Sequence, residues 1–176
     1  MAGTYALTIE LTPSGSSVAE EIFGSPFAVI CSVSTTEPAN TVISGTGATA
    51  ATAGEIESFT VTLYDSGNNQ RDSGGDSLGI TITSTSYTIT DFETFDNDDG
   101  TYTINYKVTD ASEDYTIDVV VNGDVANNQQ SIILASENVP HASSSLITLT
   151  SPGTIDTAET LTLQLNDAYG NDITTT

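Results

Sequence analysis

The acidic run "DNDDG", which follows Phe95, carries side chains that could bind a metal ion. Asp96, Asp98 and Asp99 supply carboxylate oxygens, which Ca²⁺ prefers as ligands. A calcium loop with its invariant glycine at Gly100 would also need an oxygen ligand where Phe95 stands, and a glutamate where the sequence reads "TINY". Because that spacing fails, we predict a corner between two strands, with weak calcium binding by the three aspartates as a surface property.

Three other patterns that could serve an enzyme lack the neighbours that catalysis requires. "GTGATA" at residues 45–50 fits a loose dinucleotide-binding pattern, but an alternating strand follows where that site needs a helix N-terminus. The single histidine, His141, stands in the connector "ENVPHASSS", where we expect a solvated side chain. Lys107 and Asn105 could form an isopeptide bond, but strand alternation places both on the wet face. The sequence therefore predicts a protein that is not an enzyme and that has no cofactor.

The charge of the chain restricts its partners. Asp and Glu number 24 against 2 for Lys and Arg, which gives a formal net charge of -22. Nucleic-acid binding draws most of its affinity from cationic side chains that neutralise phosphates, so a nucleic-acid partner is excluded on electrostatic grounds. An anionic membrane surface is disfavoured for the same reason, and no apolar run is long enough to span a bilayer. We therefore expect a protein partner and no membrane insertion.

Alternation of apolar and polar residues is the dominant pattern in the elements that must position these side chains. It marks "YALTIEL", "SFTVTLYD", "LGITITS", "SYTITDF", "TYTINYKV", "YTIDVVV" and "LTLQLND". Between these runs lie clusters of Gly, Asn, Asp and Ser, which tolerate the backbone conformations of tight turns. The pattern predicts an all-β, antiparallel sandwich in which each strand has one buried face and one solvent-exposed face.

The single cysteine, Cys31, rules out an intrachain disulfide and a cysteine-rich zinc site. It lies in the apolar strand "FAVICSV", so we expect a small core side chain there. An intermolecular disulfide is the alternative.

Two segments repeat along the chain at a separation of ~100 residues, the kind of period that marks an array of domains. "EIESFTVTLYDSGN" corresponds to "TAETLTLQLNDAYGN", which aligns Leu63 with Leu165 and Asp65 with Asp167. A weaker pair joins "GTYALTIEL" to "EDYTIDVVV". The repeats predict a tandem array.

In this order, the motifs resemble the filamin-type immunoglobulin-like repeat. The first strands of that family are similar to "VISGTGATAATAGEIESFTVTLYDSGNNQR", its D to E turn and E strand to "DNDDGTYTINY", its F strand to "DYTIDVVVNGD" and its last strand to "GSPFAVIC". The resemblance implies tandem immunoglobulin-like β-sandwich repeats, one complete and two partial. Residues 1–33 correspond to the F and G strands of a first repeat, residues 37–136 to a complete repeat, and residues 143–176 to the A and B strands of a third. We therefore expect a segment of a longer polypeptide, with strand exchange between neighbouring subunits as the alternative.

The family resemblance also implies a partner site. Filamin-type repeats capture peptides by β-augmentation beside their C and D strands, which we expect here at about residues 78–84 and 86–92. The side chains assigned to this site are Leu78, Ile80, Ile82, Tyr87 and Ile89.

The expected function is structural: a non-enzymatic rod or filament built from copies of one repeat and stabilised by contacts between copies of the chain. Richness in Ser and Thr and scarcity of Lys and Arg favour an extracellular or cell-surface setting. The alternatives are a cytoplasmic filamin-like scaffold that captures peptides and the stalk of an adhesin.

Overall fold

The computed structural model describes residues 2–126, 131–149 and 158–174. In this part of the chain the helical segments are two short 3-10 turns, Pro38–Asn40 and Thr46–Ala48. None of its helices is long and apolar enough to cross a bilayer.

The remaining elements are strands. In chain order they are β1 (Gly3–Leu7), β2 (Glu10–Leu11), β3 (Glu20–Glu21), β4 (Phe27–Cys31), β5 (Val42–Ser44), β6 (Ala50–Thr52), β7 (Ile56–Thr62), β8 (Leu78–Thr83), β9 (Thr88–Ile89), β10 (Phe92–Asp96), β11 (Thr101–Lys107), β12 (Tyr115–Val121), β13 (Asp124–Val125), β14 (Ser131–Ser136), β15 (Leu146–Leu149) and β16 (Leu161–Gln164).

Strands β5 to β14 form a β-sandwich. One sheet has the strand order β10-β11-β7-β5, and the other has the order β6-β14-β12-β8-β9, with β13 paired to β12. The pairings are antiparallel except that β14 runs parallel to β6. One hydrophobic core lies between the two sheets, which confirms the all-β sandwich.

The three strands β7, β11 and β12 supply most of that core because their residues alternate between buried and exposed positions. Their fully buried side chains are Phe59, Val61, Ile104, Tyr106, Tyr115, Ile117, Val119 and Val121. Burial of a large aliphatic or aromatic side chain stabilises a fold by about 1.5–3 kcal/mol. The Ser, Thr and Asn residues between them face outward.

Tyr106 adds a hydrogen bond inside the core. Its hydroxyl donates to the Gly47 carbonyl oxygen at 2.5 Å, and its ring meets that of Phe59 at a centroid distance of 5.9 Å and an angle of 59°. Burial raises the pKa of Tyr106, so the hydroxyl stays protonated and remains a donor. Glycine at position 47 allows this turn to lie directly against β7, because a Cβ there would lie 2.5 Å from the Ser58 carbonyl oxygen.

The acidic run forms the corner between β10 and β11. The Asn97 amide donates to the Thr101 carbonyl at 3.1 Å, and Asp98 and Gly100 adopt left-handed conformations with φ of 60° and 79°. Gly100 is required for a second reason, since a Cβ there would lie 2.3 Å from the carbonyl oxygen of Arg71. The structure thus places a turn at this position.

The terminal parts of the chain repeat the pairing of the sandwich. β1 pairs with β4 so that Tyr5 lies opposite Val29. β12 pairs with β14 so that Tyr115 lies opposite Ile133, and Tyr5 and Val29 thus correspond to Tyr115 and Ile133. β15 pairs with β16 in a separate two-stranded sheet. These strands are exposed: Tyr5 is 44% accessible, whereas its counterpart Tyr115 is 1% accessible.

Two expectations are corrected here. Cys31 was expected in a core, but it is exposed, because β1 and β4 form a two-stranded sheet with no second sheet over it in the described residues. The D strand was expected at residues 86–92, but β9 pairs with β8 in one sheet while β10 pairs with β11 in the other. The chain therefore changes sheets between Ile89 and Phe92. β10 is the strand that pairs with β11, which corresponds to the predicted E strand.

Replacing Tyr106 by Phe tests the core hydrogen bond. We expect Y106F to lower the free energy of unfolding by about 1–3 kcal/mol, because the Gly47 carbonyl loses its buried donor. Denaturant unfolding followed by circular dichroism gives the value. Y64F is the matched control, since Tyr64 is half-buried and its hydroxyl has no hydrogen bond within the described residues. Equal effects from the two changes would contradict the assignment.

Candidate inter-repeat joints

A five-residue loop closes the end of β7 around the carboxylate of Asp65. The Asp65 amide donates to the Asn69 carbonyl at 2.9 Å, and the Asn68 amide donates back to the Asp65 carbonyl at 3.0 Å. One carboxylate oxygen, Oδ1, accepts from the amides of Gly67 and Asn69, each at 2.9 Å. Aspartate suits this position because its short side chain can bond to backbone amides two and four residues further on.

The other carboxylate oxygen of Asp65 holds the segment that enters the sandwich from the first part of the chain. Oδ2 accepts from the Ser34 amide at 3.0 Å, and the side-chain amide of Asn69 donates to both carboxylate oxygens at 3.0 Å. The Glu37 amide donates to the Tyr64 carbonyl at 2.8 Å, so the linker is also tied to the strand beside the aspartate. Asp65 is only 3% exposed and links its own loop to the incoming linker.

Hydrogen bonds hold the Asp65 carboxylate in its charged form. The Ser34 amide makes the largest contribution, followed by the side chain and then the amide of Asn69, and together they lower the pKa of Asp65 well below its ordinary value. The linker amide is thus also the group that most favours the negative charge.

We call this arrangement, in which a buried aspartate binds both its own loop and the incoming linker, a joint. A second joint occurs at the end of β16, around Asp167. Its Oδ1 accepts from the amides of Tyr169 at 2.9 Å and Asn171 at 3.0 Å, and its Oδ2 accepts from the Asn138 amide at 3.1 Å. The His141 amide donates to the Asn166 carbonyl at 2.7 Å, as Glu37 does to Tyr64. Burial raises the pKa of Asp167, but the bonds from Asn171, Asn138 and Tyr169 outweigh it, so the pKa is lowered.

The asparagine four residues after each aspartate reaches back to the preceding part of the chain. Asn69 Oδ1 accepts from the Ala2 amide at 2.8 Å. Asn171 Oδ1 accepts from the Ala111 amide at 2.9 Å, and its Nδ2 donates to the Thr109 carbonyl at 2.9 Å. Ala2 precedes β1 and Ala111 precedes β12, so both contacts fall at the same end of the preceding unit. Each joint therefore connects an aspartate, a linker and the neighbouring unit.

The family pattern of the Filamin/ABP280 repeat matches residues 35–130, more than half of the 176-residue chain. The chain belongs to the filamin repeat family. The match covers strands β5 to β13 of the sandwich and ends just before β14, and the linker of the first joint lies at its start. Filamin repeats are structural immunoglobulin-like domains, so the family accounts for the core and the sheet order without any catalytic site.

Solved structures share this fold. The crystal structure of the Lin-41 filamin domain matches with a TM-score of 0.50 and 15% identity, and the match covers 58% of this chain and 98% of that one. The Escherichia coli adhesin FdeC gives 0.57 and 17%, over 94% of this chain and 52% of that one. Invasin, a bacterial integrin-binding protein, gives 0.60 and 19%, over 98% and 34%. The chain thus spans about half of the FdeC chain and a third of the invasin chain, and these similarities show the fold alone.

The three aspartates predicted to bind calcium cap the corner of the filamin repeat. Asp96 accepts from the amides of Asp98 at 2.9 Å and Gly75 at 2.8 Å, and these bonds lower its pKa. Asp99 accepts from the amide and hydroxyl of Thr101 at 3.0 and 2.6 Å. In the described ranges, no three acidic, histidine or cysteine side chains group closely enough to hold a metal ion. Weak calcium binding at Asp96, Asp98 and Asp99 stays a prediction.

The side chains assigned to peptide capture lie on different faces. Ile82 is fully buried, Leu78, Ile80 and Ile89 are half-buried against the core, and Tyr87 is 44% exposed. A peptide at this place would therefore meet the backbone edge of β8. β9 covers that edge only at Ile82 and Thr83, and the rest of it has no strand partner in the described residues. Peptide capture here stays a prediction.

The other singled-out residues occupy ordinary structural positions. Within residues 45–50, Thr46–Ala48 form a 3-10 turn, and β6 begins at Ala50. The His141 ring is exposed, with Nδ1 3.0 Å from the Ser143 hydroxyl and 3.2 Å from that of Ser144. Lys107 and Asn105 lie half-buried on the outer face of β11, beside a shallow cleft.

Sequence reasoning aligned Asp65 with Asp167 but did not assign them a role. Two signals could have found it: both aspartates are followed four residues later by an asparagine, and both follow an alternating strand directly. The Ser34 and Asn138 partners leave no such signal, because they contribute backbone amides.

Acidification tests the Asp65 joint. The pKa of Asp65 is lower in the folded than in the unfolded chain, so its stabilisation is present above the ordinary value of 3.8. We expect the stability of the sandwich to fall steadily as the pH drops below about 5, as the unfolded chain takes up the proton first. Urea unfolding midpoints measured across this range would show the loss.

D65N separates this joint from the other carboxylates. The variant should unfold at a lower urea concentration at pH 7 and lose less stability on acidification than the parent. D124N is the matched control, since Asp124 is exposed, and it should keep the parent's pH dependence. A D65N protein with the parent's slope would refute the role of the carboxylate.

Proposed function

We propose that this chain is a structural, non-enzymatic segment in which filamin repeats follow one another in fixed orientation, as an extended rod at a cell surface. The observation that supports this is the repetition of the joint: Asp65 with Ser34, and Asp167 with Asn138, use equivalent atoms at 3.0 and 3.1 Å. A contact made twice at equivalent positions indicates that successive units are arranged by one rule.

The joint restricts motion because it binds the linker through its backbone. The Ser34 amide cannot rotate away from Asp65 without moving the linker itself, and Glu37 is fixed to Tyr64 three residues later. The contact between Asn69 and Ala2 then ties the preceding unit to the same loop. Bending at the joint therefore breaks several hydrogen bonds together, which favours one orientation.

The net charge of -22 acts in the same direction. Like charges along the chain repel one another, so folding back of one repeat on another is disfavoured at low ionic strength. Contacts between copies of the chain in a filament then need screening by salt or by divalent cations such as calcium.

A cell-surface location is the setting we propose. The filamin repeats of this chain share their fold with the adhesin FdeC and with invasin, and the scarcity of Lys and Arg suits an exposed rod. The second candidate is a scaffold that captures partner peptides, and the observation that favours it is the edge of β8, which β9 covers only at Ile82 and Thr83 among the described residues. A cytoplasmic location belongs with that second candidate.

Pulsed electron paramagnetic resonance tests the rod directly. Spin labels on the native Cys31 and on T81C span the first joint, and labels on T81C and T162C in a C31S background span the second. We expect a narrow distance distribution across each joint, which D65N and D167N respectively broaden because the linker amide loses its charged acceptor. D124N is the control and should leave both distributions narrow. Broad distributions in the parent chain would overturn the rod.

Self-association tests the filament. We expect the chain to stay monomeric at low salt with EDTA and to sediment as larger species when salt or calcium is raised, because screening removes the repulsion between copies. Sedimentation velocity measures the change. Magnesium at equal ionic strength separates general screening from a calcium-specific effect, and a distribution of species that is the same under all conditions would contradict the proposal.

A further inference from the structure

The two joints share the same backbone hydrogen bonds to the aspartate, and two of the positions at which their side chains differ bear on how they contact the preceding strands. Position 34 of the first joint is Ser, and the equivalent position 138 of the second is Asn. Two residues after the aspartate, the first joint has Gly67 and the second has Tyr169. Both pairs are equivalent by their hydrogen bonds to the aspartate, so the differences lie at matched places.

In the second joint, Asn138 reaches the preceding repeat. Its Nδ2 donates to the Ala53 carbonyl at 2.9 Å and to Glu55 Oε1 at 3.1 Å, both in the turn between β6 and β7. Its backbone amide is at the same time bound to Asp167. In the first joint the hydroxyl of Ser34 bonds weakly to its neighbour, the Thr35 carbonyl, at 3.5 Å, and it is too short to make an equivalent reach.

Tyr169 packs against the same turn. A Cβ on Gly54 would lie 2.1 Å from Cε2 and 2.4 Å from the hydroxyl oxygen of Tyr169, so the ring rests directly on the bare backbone of that glycine. Gly54 has φ of 85°, and its amide donates to the Val108 carbonyl at 2.7 Å, so the surface under the ring is fixed by the sandwich. Gly67 offers no side chain for such a contact.

We propose that Asn138, Tyr169 and Gly54 form an orientation lock, and that the second joint is consequently stiffer than the first. The lock adds three contacts from the linker and the loop to the turn at residues 53–55, beyond those of the shared aspartate joint. Bending of the rod is therefore concentrated at the first joint. This inference rests on the rod proposed above and identifies the joint at which that rod bends.

The lock is tested by giving the second joint the residues of the first. N138S/Y169G, measured with labels on T81C and T162C in the C31S background, should broaden the distance distribution to the width found across the first joint. G54A should broaden it as well, because the added methyl group collides with the Tyr169 ring while Asp167 itself is unchanged. Since Gly54 has a φ of 85°, which alanine rarely adopts, this variant is read only where thermal unfolding shows an intact sandwich. A168G is the matched control: it adds a glycine to the same loop, keeps the ring, and should leave the distribution narrow.

The outcomes separate this inference from the proposed rod. The parent chain should show a narrower distribution across the second joint than across the first. Equal, narrow distributions, or a double variant and a G54A variant as narrow as the parent, would overturn the lock and leave the rod standing. Broad distributions across both joints would overturn the rod itself. Thermal unfolding of each variant checks that the sandwich remains folded. Protection of the backbone amides at positions 169 and 171 from hydrogen exchange provides a second measure, expected to fall in N138S/Y169G and not in A168G.

Discussion

Two buried aspartates, Asp65 after β7 and Asp167 after β16, each accept a hydrogen bond from a backbone N–H of an incoming linker. Asp65 and Asp167 are 3% and 0% exposed, and each is surrounded by amides of its own loop, of an asparagine side chain and of the linker. A buried carboxylate needs compensation for its lost hydration, and in a chain with only two Lys and Arg residues the compensation comes from N–H groups. Hydrogen bonds that satisfy this charge hold the linker against the loop.

Because the joint is made largely of backbone amides, it tolerates changes in the surrounding sequence. Phe59 aligns with Leu161 and Tyr64 aligns with Asn166, yet the backbone hydrogen bonds around the two aspartates follow the same pattern. Side chains that differ between the joints can then add contacts, as Asn138 does, without changing the hydrogen bonds of the aspartate. Repeat proteins gain from such a division, since the contacts between adjacent units decide the behaviour of the whole array.

The sequence was informative about the sandwich because alternation directly reflects burial. In β11, Tyr102, Ile104 and Tyr106 are buried while Thr103 and Asn105 face outward, as the period of two requires. Alternation does not say which sheet a strand joins, so the D strand was predicted at residues 86–92, around β9, although the chain changes sheets before β10 pairs with β11. Nor does it say whether a second sheet covers a face, which is why Cys31 was assigned to a core. The joints were missed because a backbone amide of Ser34 or Asn138 has no side-chain identity that a sequence pattern could reveal.

Acidic side chains also control the open edges of the sandwich. β10 is an edge strand whose exposed side chains include Glu93, Phe95 and Asp96, and Asp91 lies just before it. An uncovered strand edge invites pairing with another copy, and charged side chains on the edge oppose it because two such edges repel. The same carboxylates would attract a strand that carries Lys or Arg. These carboxylates therefore oppose edge-to-edge pairing of β10 with the same strand of a second copy.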